Sequence, residues 1–312
     1  MSTNTLQAQQ DLIEATCRRL VDQQVIEPLS TDEEETKLWN LRELASLIEG
    51  TFHVQLDVAR LSEIERLAYE SRATWNRGPL PSPHSEWRHP FWLIADGRRV
   101  GTLAVPTMIS GRDLISVSSL YVDPAARRGN IARRALEAVF RAGLELGAGG
   151  IRLDTNWTWQ PAVRFYARIG MWVRSWKHNL VFTWQSNLPP YRVEIGDTEA
   201  HFLIEQDGGW LTKVTAQNLG DRLGWEPIEV EPRLGEPFYC IPGTFALHLA
   251  LAGWPLIRSD ETWEDRHHWS DAGQPEGLAY KIQIFEAIDR ERGFDVRTSR
   301  IPGLEFRDLG EI

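Results

Sequence analysis

Along residues 130–146, Ala132, Leu136, Phe140 and Leu144 recur every fourth position, and Ile131, Ala135 and Val139 widen the stripe. That spacing predicts an amphipathic helix, closed by Gly147 and Gly149. Upstream the period shortens. Apolar runs at 91–95, 99–105 and 114–122 read as strands, the first two joined at Asp96-Gly97. Downstream come a strand at 150–154, a helix at 161–169 and a hairpin over 171–184. This is a mixed α/β unit. Before it, Ile13, Cys17, Leu20 and Val21 sit at helical spacing, and the acidic run 32–35 opens a helix at 37–48. After it, Asn187-Leu188-Pro189-Pro190 reads as a linker. Short strands at 191–195, 201–206 and 210–216 then turn at Gly208-Gly209. The stretch 244–252 is apolar on nearly every side and predicts a buried helix, stopped by Gly253 and Pro255, whereas Leu278, Ile282, Phe285 and Ile288 mark a final amphipathic one. The expected organisation is a helical N-terminal extension over 1–50, a mixed α/β domain over 51–186 and an acidic α+β domain over 187–312.

Charge divides the chain in the same way. Residues 86–186 carry 14 basic against 7 acidic side chains, while 187–312 carry 12 against 23, in a protein whose net charge is −10. A basic island between acidic flanks suits one compact anionic ligand and would repel a long polyanion, so a small phosphate-bearing ligand is expected and nucleic acid is not. No apolar run is long enough to span a membrane. Two cysteines far apart, with no leader-like pattern at the start, point to a cytoplasmic setting without disulfides.

The chemistry concentrates at the joint before the 130–146 helix. A strand ends at Leu120-Tyr121-Val122, a Pro turn follows, and Arg127-Arg128-Gly129-Asn130-Ile131-Ala132-Arg133 opens the helix. The first N–H groups of a helix have no intrahelical partner and sit at the positive end of its dipole, so such an opening binds anions. Side chains larger than those of Gly129, Asn130 and Ala132 would hold a pyrophosphate away from the backbone. The loop has neither the Gly-Lys-Ser/Thr nor the glycine triplet of the common nucleotide loops.

This segment resembles the GNAT superfamily of acyl-CoA-dependent N-acyltransferases, in which Arg/Gln-x-x-Gly-x-Gly/Ala cradles the coenzyme A pyrophosphate. Asn130 stands at the fourth position of that motif, where the family usually has Gly, and tolerates left-handed backbone. A second family signature is matched by Ala162, Phe165-Tyr166, Gly170 and Met171, while Trp159 stands where the family often has Asn, with Asn156 as a substitute if the loop runs differently. The resemblance covers 51–186, with 51–57 as a first strand. It implies a mostly antiparallel sheet flanked by helices, acetyl-CoA as cosubstrate, no metal, and residues 61–77 as a wall of the acceptor site. It also implies that Leu120, Tyr121, Val122 and residues 127–133 bind the coenzyme, that the Val122 N–H stabilises the developing oxyanion, and that Tyr166 protonates the departing thiolate. From spacing alone Tyr166 also fits a core position.

No carboxylate lies on the strand before the loop. Asp154, which also suits a turn cap, and a water relay through Ser119 or Tyr121 are the alternatives for the base, which stays unassigned. Trp157, Trp159 and Ser119 are the acceptor-pocket candidates, within a group that includes Trp172, Trp176 and Trp184. His267-His268 amid acidic residues makes a poor metal cage, and His248 inside an apolar helix reads as a hydrogen-bonded core residue. The expected activity is transfer of an acetyl group to a small cationic amine. A protein N-acetyltransferase whose C-terminal domain docks the substrate, or a non-catalytic module that only holds coenzyme A, are the alternatives. Acceptor identity, donor chain length and oligomeric state stay open.

Overall fold

The computed structural model of the 312-residue chain describes residues 3–52, 83–84, 88–106, 114–155, 159–175, 180–218, 223–227 and 237–252. Packing divides the chain into two compact units, Met1–Asp154 with Trp184–Ser186, and Thr155–Thr183 with Asn187–Ile312.

In the first unit the elements run α1 (Thr3–Asp22), β1 (Ile26–Pro28), α2 (Glu33–Phe52), β2 (Arg88–Ala95), β3 (Arg98–Pro106), β4 (Leu114–Val122), a 3-10 turn (Pro124–Ala126), α3 (Ile131–Glu145) and β5 (Gly150–Thr155). Strands β1 to β5 lie side by side in chain order; the first three pairings are antiparallel and β4–β5 is parallel. The acidic run works as a cap: Asp32 Oδ1 accepts the N–H groups of Glu34 and Glu35, both at 3.0 Å, and so starts α2. On α3, Ala135, Leu136 and Val139 of the predicted stripe are buried, with Ala142 beside them, while Ile131, Ala132, Phe140 and Leu144 are half-buried. Gly143 lets α3 settle onto β4, since a Cβ there would lie 2.7 Å from Ile115 Cδ1. Across the final turn, Gly150 (φ +153) lies against Trp184, where a Cβ would meet the carbonyl oxygen at 2.1 Å.

The second unit begins with α4 (Gln160–Arg168), β6 (Trp172–Ser175) and β7 (Leu180–Gln185), the last of which ends in residues that belong to the first unit. It continues through β8 (Tyr191–Ile195), β9 (Glu199–Gln206), β10 (Gly209–Asn218), β11 (Leu223–Pro227) and α5 (Pro237–Leu251). Strands β8 to β11 form an antiparallel sheet. Trp172 is fully buried with Phe202, Phe245 and Leu249, and its indole N–H donates to the Pro189 carbonyl at 3.2 Å. Thr244 Oγ1 accepts the Val173 N–H at 2.9 Å, which ties α5 to β6. Truncating so large a buried ring costs about 3–5 kcal/mol, so this core binds β6 to the residues beyond 187.

Several expectations change. Among the described residues the first strand is Ile26–Pro28; Thr51 and Phe52 are still helical at the end of α2, and the rest of the strand expected at 51–57 lies outside the described residues. The segment before residue 50 is therefore not purely helical: it adds a strand to the sheet and packs α1 near α3, where Arg19 pairs with Glu145. Three residues of mixed polarity carry no periodicity, which is why β1 escapes a pattern search. The helix expected at 244–252 starts at Pro237, and β11 was not anticipated. The meander turns at Asp207-Gly208, both with positive φ. Trp172, left open between core and pocket by the sequence, is core. Residues 61–77, Asn156, Trp157, Trp176, His267, His268 and the helix expected around 278–288 lie outside the described residues.

Candidate active site

The strand that leads into the site changes character midway. β4 pairs with β5 from Leu114↔Gly150 to Val117↔Leu153, and there the parallel ladder ends, although β4 continues to Val122. On its other edge β4 pairs with β3 through Ala104↔Ser118, then Thr102↔Tyr121 and Gly101↔Val122, so one extra residue bulges out of β4 between the two stretches. Ser119 sits in that bulge with φ +50. Beyond it the Asp123 N–H donates to the Val100 carbonyl at 2.8 Å. Hydrogen-bonding direction alternates along an antiparallel pair, so the Val122 N–H points away from β3, toward the side where β4 has left β5. Gly101 allows the close approach, for a Cβ there would lie 2.0 Å from the Tyr121 carbonyl oxygen.

After the Pro124–Ala126 turn the backbone makes two left-handed steps, Arg128 at φ +70 and Asn130 at φ +56. Such steps cost a non-glycine residue roughly 1–2 kcal/mol. They curl the chain so that successive N–H groups converge, the geometry of an anion nest. Asn130 is the N-cap of α3 and makes no side-chain cap. The first α3 backbone bond runs from Arg134 N–H to the Asn130 carbonyl at 2.9 Å, so the N–H groups of Ile131, Ala132 and Arg133 precede the ladder. Gly129 is exposed, and a Cβ there would make only ordinary contacts, 3.5 Å to the Ala126 carbonyl. The fold itself therefore does not demand this glycine.

The two arginines of the loop have different surroundings. Arg127 Nη2 donates to Glu49 at 2.7 Å, its Nε donates to the Val122 carbonyl at 2.9 Å, and its guanidinium lies over the Tyr121 ring at 5.3 Å. Burial, followed by the nearby Glu49 charge, pushes the Tyr121 phenol above its ordinary pKa. Arg128 is exposed and has no ion pair among the described residues. Arg133 is exposed and pairs with Glu137 at 2.8 Å along α3. Leu120 and Val122 are half-buried and Tyr121 is buried.

Ser119 anchors a network that sequence reasoning missed. Its hydroxyl donates to Glu43 Oε1 at 2.8 Å and accepts from Arg88 Nη1 at 3.1 Å, while Arg88 spans the Glu43 carboxylate at 2.7 and 3.1 Å. Arg42, the neighbour of Glu43 on α2, pairs bidentately with Asp123 at 2.9 and 2.8 Å. Arg42 and Glu49 are seven residues apart, two helical turns, and both reach the end of β4 and its loop. Charged residues at that spacing on a predicted helix were the available signal, but nothing in the sequence names their partners across 31 to 81 positions.

Tyr166 and Trp159 belong to the second unit. Tyr166 is buried on α4 with its ring 5.2 Å from those of Phe165 and Phe182, and burial raises its pKa well above the usual phenol value. Trp159 is the N-cap of α4 and its carbonyl accepts the Val163 N–H at 3.0 Å. Asp154 is exposed and paired with Arg152 at 2.6 Å. Among the described residues no cluster of three or more His, Cys, Asp or Glu is arranged to hold a metal ion, and no helix is long and apolar enough to cross a membrane.

Residues 58–171 match the family model described as "Acetyltransferase (GNAT) family", and this segment is a GNAT acetyltransferase domain. No curated protein matches the chain. Among solved structures it is similar to the PaiA N-acetyltransferase of Thermoplasma acidophilum in complex with coenzyme A, at 15% identity over 51% of this chain and 98% of that one, with a TM-score of 0.35. It is also similar to an acetyltransferase of the GNAT family from Staphylococcus aureus Mu50, at 17% identity over 51% and 98%, TM-score 0.33. A third is nourseothricin acetyltransferase, at 20% identity over 35% and 69%, TM-score 0.29. At these scores the likenesses add no argument of their own, and the family assignment rests on the match over 58–171.

Proposed function

We propose that the protein is an N-acetyltransferase that moves the acetyl group of acetyl-CoA to a primary amine, most simply a small cationic one. The observation that carries the reading is the uncapped opening of α3, with its two left-handed residues and the exposed Arg128, directly after a strand whose edge is released by the end of the β4–β5 ladder. In this reading the N–H groups of Gly129 to Arg133 and the Arg128 guanidinium take the pyrophosphate, and Leu120, Tyr121 and Val122 offer backbone groups to the pantetheine arm. Acyl transfer needs a donor aimed at the carbonyl oxygen as it gains charge, and the Val122 N–H is assigned that role. The departing thiolate needs a proton. Tyr166, kept protonated by burial, supplies it. On the family resemblance alone, Asn156 is assigned to the coenzyme and Trp157 and Trp159 to the acceptor side.

The acidic composition of 187–312 supports a cationic acceptor, because a field of that sign raises the local concentration of cations. Two buried cysteines that form no disulfide support a cytoplasmic setting; burial pushes the Cys17 thiol up to about 12, so it stays neutral and inert. The test is mass spectrometry of purified protein with acetyl-CoA, offered an amine library and a cell extract in separate reactions. Acetylated small amines are expected. Acetylated proteins alone would favour the protein-substrate reading, and no acetylated product from either would favour a coenzyme-binding module.

A further inference from the structure

The bulge in β4 decides which way the Val122 N–H points. If β4 paired without it from Ala104↔Ser118 onward, Val100 would face Val122 instead of Asp123, and the Val122 N–H would bond to the Val100 carbonyl inside the sheet. The extra residue moves that carbonyl's bond to Asp123 and turns the Val122 N–H to the opposite edge. The bulge in turn depends on Ser119 holding φ +50, a conformation that a serine rarely adopts unaided.

Three side chains hold it there. The Ser119 hydroxyl is gripped by Glu43 Oε1 and Arg88 Nη1, and its carbonyl accepts from Thr102 Oγ1 at 2.9 Å. The grip is itself rooted: Arg88 spans both oxygens of Glu43 and lies over the Trp39 ring at 5.3 Å, and the Trp39 indole donates to the Phe91 carbonyl at 3.0 Å. Both charged groups are largely withdrawn from water, with side-chain exposures of 12% for Arg88 and 17% for Glu43. This enclosed pair closes on Ser119, whose left-handed backbone lies three residues before Val122.

We infer that Glu43 and Arg88 are positioning residues for the oxyanion donor: they fix Ser119 in the left-handed bulge and thereby aim the Val122 N–H at the acyl carbonyl. The inference rests on the acetyltransferase reading, and deepens it. Neither residue touches the reacting atoms in this account. Their effect passes through the backbone of residues 119–122.

The test uses the full-length chain, acetyl-CoA labelled with 13C at the acyl carbonyl, infrared difference spectroscopy and calorimetry. In the unaltered protein the bound carbonyl band should lie below that of free acetyl-CoA. The charge-neutral double variant Glu43→Gln/Arg88→Met should bind acetyl-CoA within about threefold of the parent, yet its band should return toward the free position. Adding Ser119→Gly to that double variant should restore the shift in part, because glycine takes a positive φ without help. If the double variant does not fold, the single variants carry the same comparison: Ser119→Gly should keep the shifted band and Ser119→Val, whose branched side chain resists that φ, should lose it. A double variant with intact affinity and an unmoved band would overturn the inference, as would identical bands for the Gly and Val variants. Failure of the unaltered protein to bind acetyl-CoA at all would overturn the acetyltransferase reading beneath it.

Discussion

The guanidinium of Arg127 is bound to Glu49 at 2.7 Å, and the same side chain donates to the Val122 carbonyl at 2.9 Å, so the first arginine of the loop is committed to the protein. Arg128, one residue on, is exposed on a left-handed step of the nest. The two should therefore fail differently. With Arg128 proposed to hold the pyrophosphate, Arg128→Ala should weaken acetyl-CoA binding about 10- to 100-fold at little cost in stability. Arg127→Ala leaves the half-buried Glu49 without this partner and should lower stability by about 1–3 kcal/mol. Calorimetry and thermal melts on both variants separate the roles; equal effects on both readouts would contradict the assignment.

A second expectation concerns Tyr166. Tyr166→Phe keeps the ring against Phe165 and Phe182 and removes only the hydroxyl. Affinity for acetyl-CoA should be unchanged while kcat falls about 10²- to 10⁴-fold, the usual contribution of a general acid. Because burial raises the phenol's pKa, Tyr166 stays protonated across the neutral range, and no loss of activity between pH 7 and 9 should trace to it. Steady-state kinetics across that range checks both points, and unchanged turnover would remove Tyr166 from the chemistry.

The second unit carries a pH dependence of its own. Tyr191 donates its phenol proton to the Met171 carbonyl at 3.0 Å, so the bond at 3.1 Å between its oxygen and His248 Nε2 is donated by the imidazole, which places a proton on Nε2. Burial lowers the His248 pKa to about 4 from 6.5. A depressed histidine pKa means that the unfolded chain takes up the proton first. The contribution is whole above pH 6.5 and is lost as pH falls toward 4, by up to about 3 kcal/mol. Melts at pH 7.5 and 5 should show the drop, and His248→Gln should flatten it; an equal drop in the variant would place its origin elsewhere.

How much of this was legible in the sequence follows from the range of each interaction. The α3 stripe and the joint at 127–133 were readable because periodicity and loop chemistry are local. The buried face of Ala135, Leu136 and Val139 is the predicted one. The strand at Ile26–Pro28 was not, since three residues show no period and its place depends on pairing with β2 more than 60 positions away. Glu43 and Arg88 were invisible for the same reason: each looks like an ordinary surface charge until the fold brings both to Ser119. Trp172 could not be placed from the sequence, because a tryptophan near a site motif suits a core as well as a pocket; the sheet of the second unit closes over it.

Salt gives a further expectation for the acceptor. With residues 187–312 carrying 12 basic and 23 acidic side chains, association of a cationic amine should be favoured at low ionic strength and weaken as the Debye length shortens to about 8 Å near physiological salt. Once an acceptor is in hand, its kcat/KM should fall with added salt while the KM for acetyl-CoA changes little. A salt-independent kcat/KM, or an anionic acceptor, would leave these residues a structural or partner-binding role.

The claim on which the rest depends is that the opening of α3 binds the pyrophosphate of coenzyme A. Ala132 lies in the first turn of α3, where its N–H precedes the helical ladder, so Ala132→Glu places both bulk and negative charge at the opening. Arg141, on the same helix but three turns from its start and exposed, reverses charge outside the opening when replaced by Glu. Calorimetric titration of acetyl-CoA into the unaltered protein and these two variants is the most direct measurement. The account predicts that Ala132→Glu abolishes binding while Arg141→Glu stays within a few-fold of the parent; equal loss in both, or undiminished binding in Ala132→Glu, would contradict it.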